Sequence, residues 1–294
     1  MKKIVFTFIT LTILAASCDK NPVEKLERIA FSVEGIDEDV ATRVVSVTTS
    51  ATLNTNGIYV GCTTGTAGSE TQVTGWTSPY SVLFSKTGDY FVGDRWWPQS
   101  DGNYHFYGCS QSMTFAAGGT TVAATNTVDV VCAYMPNPSF RNTNTLQFKH
   151  IFARLGDVTF VAGDGFTVTD ISVTIVPKTG GTYNLRAGNG QTDGTGWSSV
   201  TTGSATQIAN STPGTKSNDL YLVPGSYAVT ATWKATIGDQ TKIYTSDSYS
   251  LNVVGGKVTT LTATMTGEAS EIQFETSVEA WGAENIGIGE YPLS

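Results

Sequence analysis

Short runs in which apolar and polar residues alternate recur along most of the chain. Ile29, Phe31 and Val33 alternate with Ala30, Ser32 and Glu34, the period-two pattern of a strand with one buried face. Comparable runs at residues 58–62, 80–84, 104–107 and 128–134 predict further strands in the first half. A second series follows at 146–155, 158–160, 166–175, 227–233 and 258–265. Clusters of Gly, Asn, Ser and Pro stand between the runs and supply turn chemistry. Short strands at such intervals predict antiparallel sandwiches rather than a parallel α/β sheet. The pattern pauses around Met135-Pro136-Asn137-Pro138 and Asn142-Thr143-Asn144. The expected organisation is all-β: one sandwich over 44–143, a second over 144–270, a leader at 18–43 and a tail at 271–294. Residues 187–216, rich in Gly, Thr and Ser, read as a long surface excursion.

Composition supports this class and removes others. Thr is present 46 times in 294 residues, and Thr, Val and the aromatics fit pleated, half-buried surfaces. Hydrophobic residues make up 40%, enough to fill a core and to exclude disorder for most of the length. Lys and Arg number 17 against 25 Asp and Glu, for a net charge of −8. Such a chain has no basic footprint for a phosphate backbone, so no nucleic-acid partner is expected.

The first residues change the picture of where the protein works. Lys2-Lys3 precedes an apolar run at 4–16, and Ala15-Ala16-Ser17-Cys18 ends it. A basic start, a short apolar stretch and small residues before a cut form an export signal, and the stretch is too short to span a bilayer. The Cys directly after Ala-Ala-Ser resembles a bacterial lipoprotein signal, in which Cys18 becomes the lipid-bearing first residue. Leu14 stands four positions before it rather than the usual three. The plainer alternative is a secretory signal with an incidental cysteine. Loss of residues 1–17 removes Lys2 and Lys3 and no acid, so the charge falls to −10. Cys62, Cys109 and Cys132 remain, an odd number that closes no disulfide framework. Either Cys109 and Cys132 face each other on neighbouring strands, or all three are small buried apolar residues.

Candidate chemistry is sparse. His105 lies in an aromatic strand and His150 in an amphipathic one, so both read as packing or surface residues rather than members of a triad. There is no H-E-x-x-H and no paired C-x-x-C. Gly188-Asn189-Gly190 to Gly194 lacks the Lys and following helix of a phosphate cradle. Asp37-Glu38-Asp39 lacks the spacing of a dedicated calcium loop. Trp96-Trp97 either stacks on sugars or closes the end of a sandwich. No catalytic, cofactor-binding or metal-ligating residue is expected, and no enzyme.

Several blocks, in order, resemble one family. Tyr90-Phe91 to Trp96-Trp97-Pro98, then Tyr104-His105-Phe106-Tyr107-Gly108, is similar to the W-P … F-Y-A-Y block of the fimbrillins, the pilin subunits of type V pili of Bacteroidales. Leu146-Gln147-Phe148-Lys149-His150-Ile151-Phe152-Ala153-Arg154-Leu155 resembles that family's entry into its second domain. Leu222-Val223-Pro224-Gly225, residues 253–261 and Val278-Glu279-Ala280-Trp281 resemble its C-terminal half, and Ala41-Thr42-Arg43 completes the match at the front. Gly108-Cys109 departs from the family's more usual Ala-Tyr.

The resemblance implies two tandem transthyretin-like sandwich domains. It also implies export as an outer-membrane lipoprotein, cleavage after a basic residue by an Arg-specific protease, and polymerisation with identical or related subunits into an extracellular fimbrium that supports adhesion. Arg43, with Val44 following the cut, is the preferred site, because it follows the candidate strand and an acidic stretch that a protease can reach; Arg28 and Lys25 are rivals. One cut there removes Cys18 together with the strand Ile29, Phe31 and Val33, and opens an apolar groove for another strand. The tail offers alternating apolar residues at Ile272, Phe274 and Val278 and again at Ile286 and Ile288. The tail from about Ile272 onward is the expected donor, with 286–291 as its preferred exchanged end; the first group reads equally as the last strand of its own domain. Rival readings are a tethered glycan-binding lipoprotein using Trp96, Trp97 or Trp197, and a tip or anchor subunit of the same pilus.

Overall fold

The computed structural model describes residues 27–36, 48–98, 100–116, 119–215, 219–266 and 268–281. The first half carries β1 (Arg28–Glu34), α1 (Ser50–Asn56), β2 (Ile58–Thr64), β3 (Thr71–Gln72), β4 (Val82–Thr87) and β5 (Tyr90–Trp96). It continues through β6 (Tyr104–Cys109), β7 (Thr114–Ala116), β8 (Gly119–Thr125), β9 (Val131–Pro136), β10 (Asn144–Gln147) and β11 (Lys149–His150). The second half holds β12 (Ala153–Val161), β13 (Thr167–Ile175), β14 (Lys178–Asn184), β15 (Trp197–Thr202), β16 (Thr206–Gln207) and β17 (Leu220–Leu222). The series ends with β18 (Gly225–Ile237), β19 (Gln240–Thr245), β20 (Tyr249–Val253), β21 (Lys257–Met265) and β22 (Ile272–Ala280).

The all-β expectation holds, with α1 as an addition that apolar alternation does not reveal. Its start is a capping contact, the Thr49 side chain accepting from Thr52 N–H, and its one buried residue is Leu53. Gly57 ends it at φ +80°, where a Cβ would lie 2.7 Å from the Phe84 carbonyl oxygen; only glycine fits a left-handed turn that tight.

Nine strands form the first sheet, in the order β10-β1-β5-β4-β2-β6-β9-β11 with β3 on β2. Phe31, Phe84, Phe91 and Phe106 from these strands, with Trp76, Trp97 and Phe148 from the connections, build an aromatic core. Residues 144–150, grouped by pattern with the second half, belong to this sheet as β10 and β11. In the second half a β17-β12-β21-β22 sheet packs on a β16-β13-β18-β19 sheet, with β20 on β18. The thirteen-residue β18 buries Tyr227, Val229, Ala231, Trp233 and Ala235 at every second position. Residues 187–215 lie mostly at the surface, as expected, but they are not without regular structure. They contain β15 and β16, and they place Ile208 and Ala209 in the second core. Thr- and Ser-rich edge strands carry little apolar alternation, which hid them.

The two halves are joined rather than strung in line. The hairpin β7–β8 of the first half pairs with β14–β15 of the second in one four-stranded sheet, with Gly180↔Thr125 through Asn184↔Thr121 in register. Beneath it a third core gathers Tyr107, Cys109 and Cys132 with Phe152, Tyr183, Tyr221 and Trp281. Strand β6 lies between two cores and is buried at all six positions. Tyr104 and Phe106 face the aromatic core, while Tyr107 and Cys109 face the shared one.

Gly108 sits where β6 passes under β10 and its successor: a Cβ there would stand 2.8 Å from the Phe148 ring and 3.1 Å from the Leu146 side chain. Gly108→Ala is therefore expected to cost about 1–3 kcal/mol through overpacking, read as a lowered urea midpoint with an unchanged slope.

Candidate functional site at the seat of the first strand

Strand β1 occupies an interior position of the first sheet, parallel to β10 on one side and antiparallel to β5 on the other. Phe31, Ser32, Val33 and Glu34 oppose Asn144, Thr145, Leu146 and Gln147. On the other edge Arg28, Ala30 and Phe31 oppose Trp96, Val92 and Phe91, with a bulge between Arg28 and Ala30. Alternation decides the inward face. Ile29 and Phe31 are wholly buried, and Val33 packs partly against the same core. Phe31 lies edge-on to Phe106 at 4.9 Å and tilted on Phe84 at 5.7 Å between ring centroids. Burying two such side chains contributes roughly 3–6 kcal/mol, a large share of a typical domain's roughly 5–15 kcal/mol.

Polar contacts line the outer face and the ends. The Ser32 and Thr145 hydroxyls are 2.6 Å apart, and Gln147 donates to the Glu34 carboxylate at 2.6 Å. Backbone N–H groups of Trp97 and Phe148 donate to the Glu27 and Glu34 carbonyls. The Arg28 guanidinium lies 5.4 Å from the Trp96 ring centroid. Gly35 ends the strand at φ +88°, and a Cβ there would be 2.5 Å from the Phe148 carbonyl oxygen. The seat is thus a slot for an extended peptide: two rows of backbone partners, with pockets for apolar side chains at every second position. Leu146, Phe148, Phe84, Phe91 and Phe106 form its walls. Sequence reasoning missed these as site residues; alternation marks each as buried but does not say which strand lies beside β1.

The tail candidates divide. Ile272, Phe274 and Val278 lie on β22, which pairs with β21 from Met265↔Ile272 to Lys257↔Ala280. Ile272 and Phe274 pack on the second core, and Phe274 stacks on Tyr249 at 5.0 Å. From Glu275 to Ala280 the strand is exposed at the edge of its sheet. Cys18, Arg43, Val44, Ile286 and Ile288 lie outside the described residues.

One buried carboxylate holds Thr48 and the histidine on which Trp281 is stacked. Asp129, fully buried, accepts from the Thr48 N–H at 2.8 Å, and its carboxylate lies 2.9 Å from His150 Nδ1. The His150 ring is stacked face to face on Trp281, 4.1 Å between centroids. A buried carboxylate persists only where such partners compensate its lost hydration. His105 is also structural, bonded to the Gly65 carbonyl at 2.9 Å and to the Tyr134 hydroxyl at 3.1 Å. Burial pushes the Tyr80, Tyr107 and Tyr221 phenols well above their ordinary range. No group of three or more His, Cys, Asp or Glu suited to a metal ion is found among the described residues. Of the three candidate sugar platforms, Trp97 is buried among Phe106 and Phe140, and Trp197 packs on Phe152 and Tyr183. Trp96 alone is exposed.

A family model described as fimbrillin-like matches residues 42–281. Solved structures are similar over most of the chain. A fimbrial protein from Bacteroides vulgatus is 15% identical, with a TM-score of 0.54 over 87% of this chain and 99% of that one. A provisionally assigned cell adhesion protein from Bacteroides ovatus is 18% identical, with a TM-score of 0.51 over 88% and 99%. At such identities the likeness establishes the fold. No protein of curated function matches the sequence. The matched span begins after β1 and ends at Trp281, the residue stacked on His150.

Truncating the deepest side chain of the seat tests its weight. Phe31→Ala in the full chain is expected to lower unfolding free energy by about 3–5 kcal/mol. Glu34→Gln on the exposed face is expected to change it by less than about 1 kcal/mol. Equilibrium urea titration of both variants reads the difference.

Proposed function

The chain belongs to the fimbrillin-like family, and from that premise we propose that it is a structural subunit of a surface fimbria that assembles by strand exchange. The carrying observation is the position of β1. It fills an interior slot of the first sheet with Ile29 and Phe31 fully buried, yet it precedes the family-matched span that starts at residue 42. In this reading each half is a transthyretin-like sandwich. The precursor is exported and held at the outer membrane through a lipid on Cys18. An Arg-specific protease cuts between Arg43 and Val44, so one hydrolysis separates both the lipid anchor and β1 from the body of the subunit.

The emptied slot supplies the drive for assembly. It leaves backbone groups of β5 and β10 without partners, beside a pocket lined by Phe84 and Phe106. Such an edge gains from any extended segment with apolar residues at alternate positions. The segment around Ile286 and Ile288 of a sibling has that spacing. Because β22 is fully paired with β21, the donor is assigned to residues beyond Trp281, and Ile272, Phe274 and Val278 hold the base of the tail in its own sheet. The strand that fills the slot before cleavage also keeps the subunit from assembling early.

Treatment of the purified full-length chain with an Arg-specific protease is expected to yield a ladder of heat-resistant oligomers on denaturing gels. The ladder should disappear on deletion of residues 286–294. Arg43→Ala should leave the chain uncut at this point and monomeric. A trimmed chain that remains monomeric overturns the proposal, and assembly of the Arg43→Ala variant overturns the assigned cut.

A further inference from the structure

Strands β6 and β9 run antiparallel with Cys109 directly opposite Cys132, and the two sulfur atoms are 3.2 Å apart. Both residues are buried in the shared core. The next pair along, Ser110 and Val131, is joined by an N–H to carbonyl bond of 3.0 Å. The cysteines therefore stand in the wide, non-hydrogen-bonded position, where opposed Cα atoms lie about 4.5 Å apart. That separation falls within the roughly 4.4–6.8 Å that a disulfide spans. Among the described residues Cys62 has no such partner to hand: on β2 it packs in the other, aromatic core.

We propose that Cys109 and Cys132 are joined as an intrachain disulfide while the exported chain folds. The inference draws only its oxidising compartment from the export reading above. The oxidant is a small-molecule or protein disulfide. One of its sulfurs is attacked by the first thiolate, and the resulting mixed disulfide is resolved by the second cysteine. Each protein sulfur loses one proton, the S–S bond forms, and the oxidant's disulfide leaves as two thiols. The bond has to form before the core closes. Burial, with the neighbouring Cys109 thiol, holds the Cys132 thiol well above its ordinary value, and a buried, protonated thiol is a poor nucleophile. The same burial protects the finished bond from reductants.

The bond has a mechanical consequence. It ties off residues 110–131, the excursion that carries β7 and β8 to the sheet shared with β14 and β15. The hairpin that couples the two halves is thereby fastened at its root to β6 and β9, two interior strands of the first sheet.

The full chain is refolded from the reduced, denatured state in a mixture of reduced and oxidised glutathione, then denatured in alkylating reagent and digested with trypsin without reduction. No Lys or Arg lies between Arg95 and Arg141, so one peptide carries both cysteines. That peptide is expected to bear no alkyl group and to weigh about 2 Da less than its dithiol form, while the Cys62 peptide is alkylated. A parallel refold under reducing conditions should melt roughly 5–10 °C lower, and Cys109→Ser should melt alike in both buffers. Two alkyl groups on the peptide from the folded, glutathione-treated protein overturn the proposal, as does a link from Cys62 to either cysteine. Assembly after Arg-specific cleavage is read separately: unlinked protein that still assembles overturns the disulfide alone, and linked protein that does not assemble overturns the fimbrial reading alone.

Discussion

An interior strand of a sheet satisfies two neighbours at once, and β1 is such a strand. Its backbone lies between β10 and β5, and its Ile29 and Phe31 complete an aromatic core that Phe84, Phe106 and Trp76 cannot close by themselves. The slot therefore has to be occupied. Whatever fills it must be extended and apolar at every second residue, because the pleat presents pockets only at that interval. Few further demands are made on the sequence of the occupant, since most of the contact is backbone hydrogen bonding and burial.

The rest of the molecule braces the slot by packing and pairing. The aromatic core, the second-half core around Phe160 and Trp233, and the shared core are in contact through β6, β12 and the mixed sheet of β7, β8, β14 and β15. A load applied to one half reaches the other through paired strands rather than through a linker. The buried Asp129 adds a polar pin to this junction. It holds Thr48, where the described chain resumes after β1, and His150, on which Trp281 is stacked before the tail. Entry and exit of the body are thereby fixed at neighbouring points, although Thr48 and Trp281 stand 233 positions apart in the chain.

Much of this was legible beforehand because period-two alternation is a local property. Ile29-Phe31-Val33 declared a strand, Tyr227 to Trp233 declared another, and the Gly and Asn clusters placed the turns between them. The failures have local causes too. Residues 197–202 and 206–207 form edge strands whose Thr and Ser side chains face water, so no apolar rhythm betrayed them. Leu146 and Phe148 alternate correctly, but alternation carries no address, and their place beside β1 rather than in the second half was not readable. The Cys109–Cys132 opposition was one of two open readings for the same reason: register between β6 and β9 depends on the core that both strands cover.

By itself the sequence determined the class of the fold, the inward face of each long strand and the family to which the chain is similar, because burial acts on every residue where it stands. Only the tertiary structure decided that β1 is an interior strand, that Phe31 meets Phe106, that the halves share a sheet, and that Asp129 gathers Thr48 and His150. Those facts concern which distant segments become neighbours. That choice is made by the packing of whole sheets, where shape, register and the loss of water from opposed surfaces are settled together rather than residue by residue.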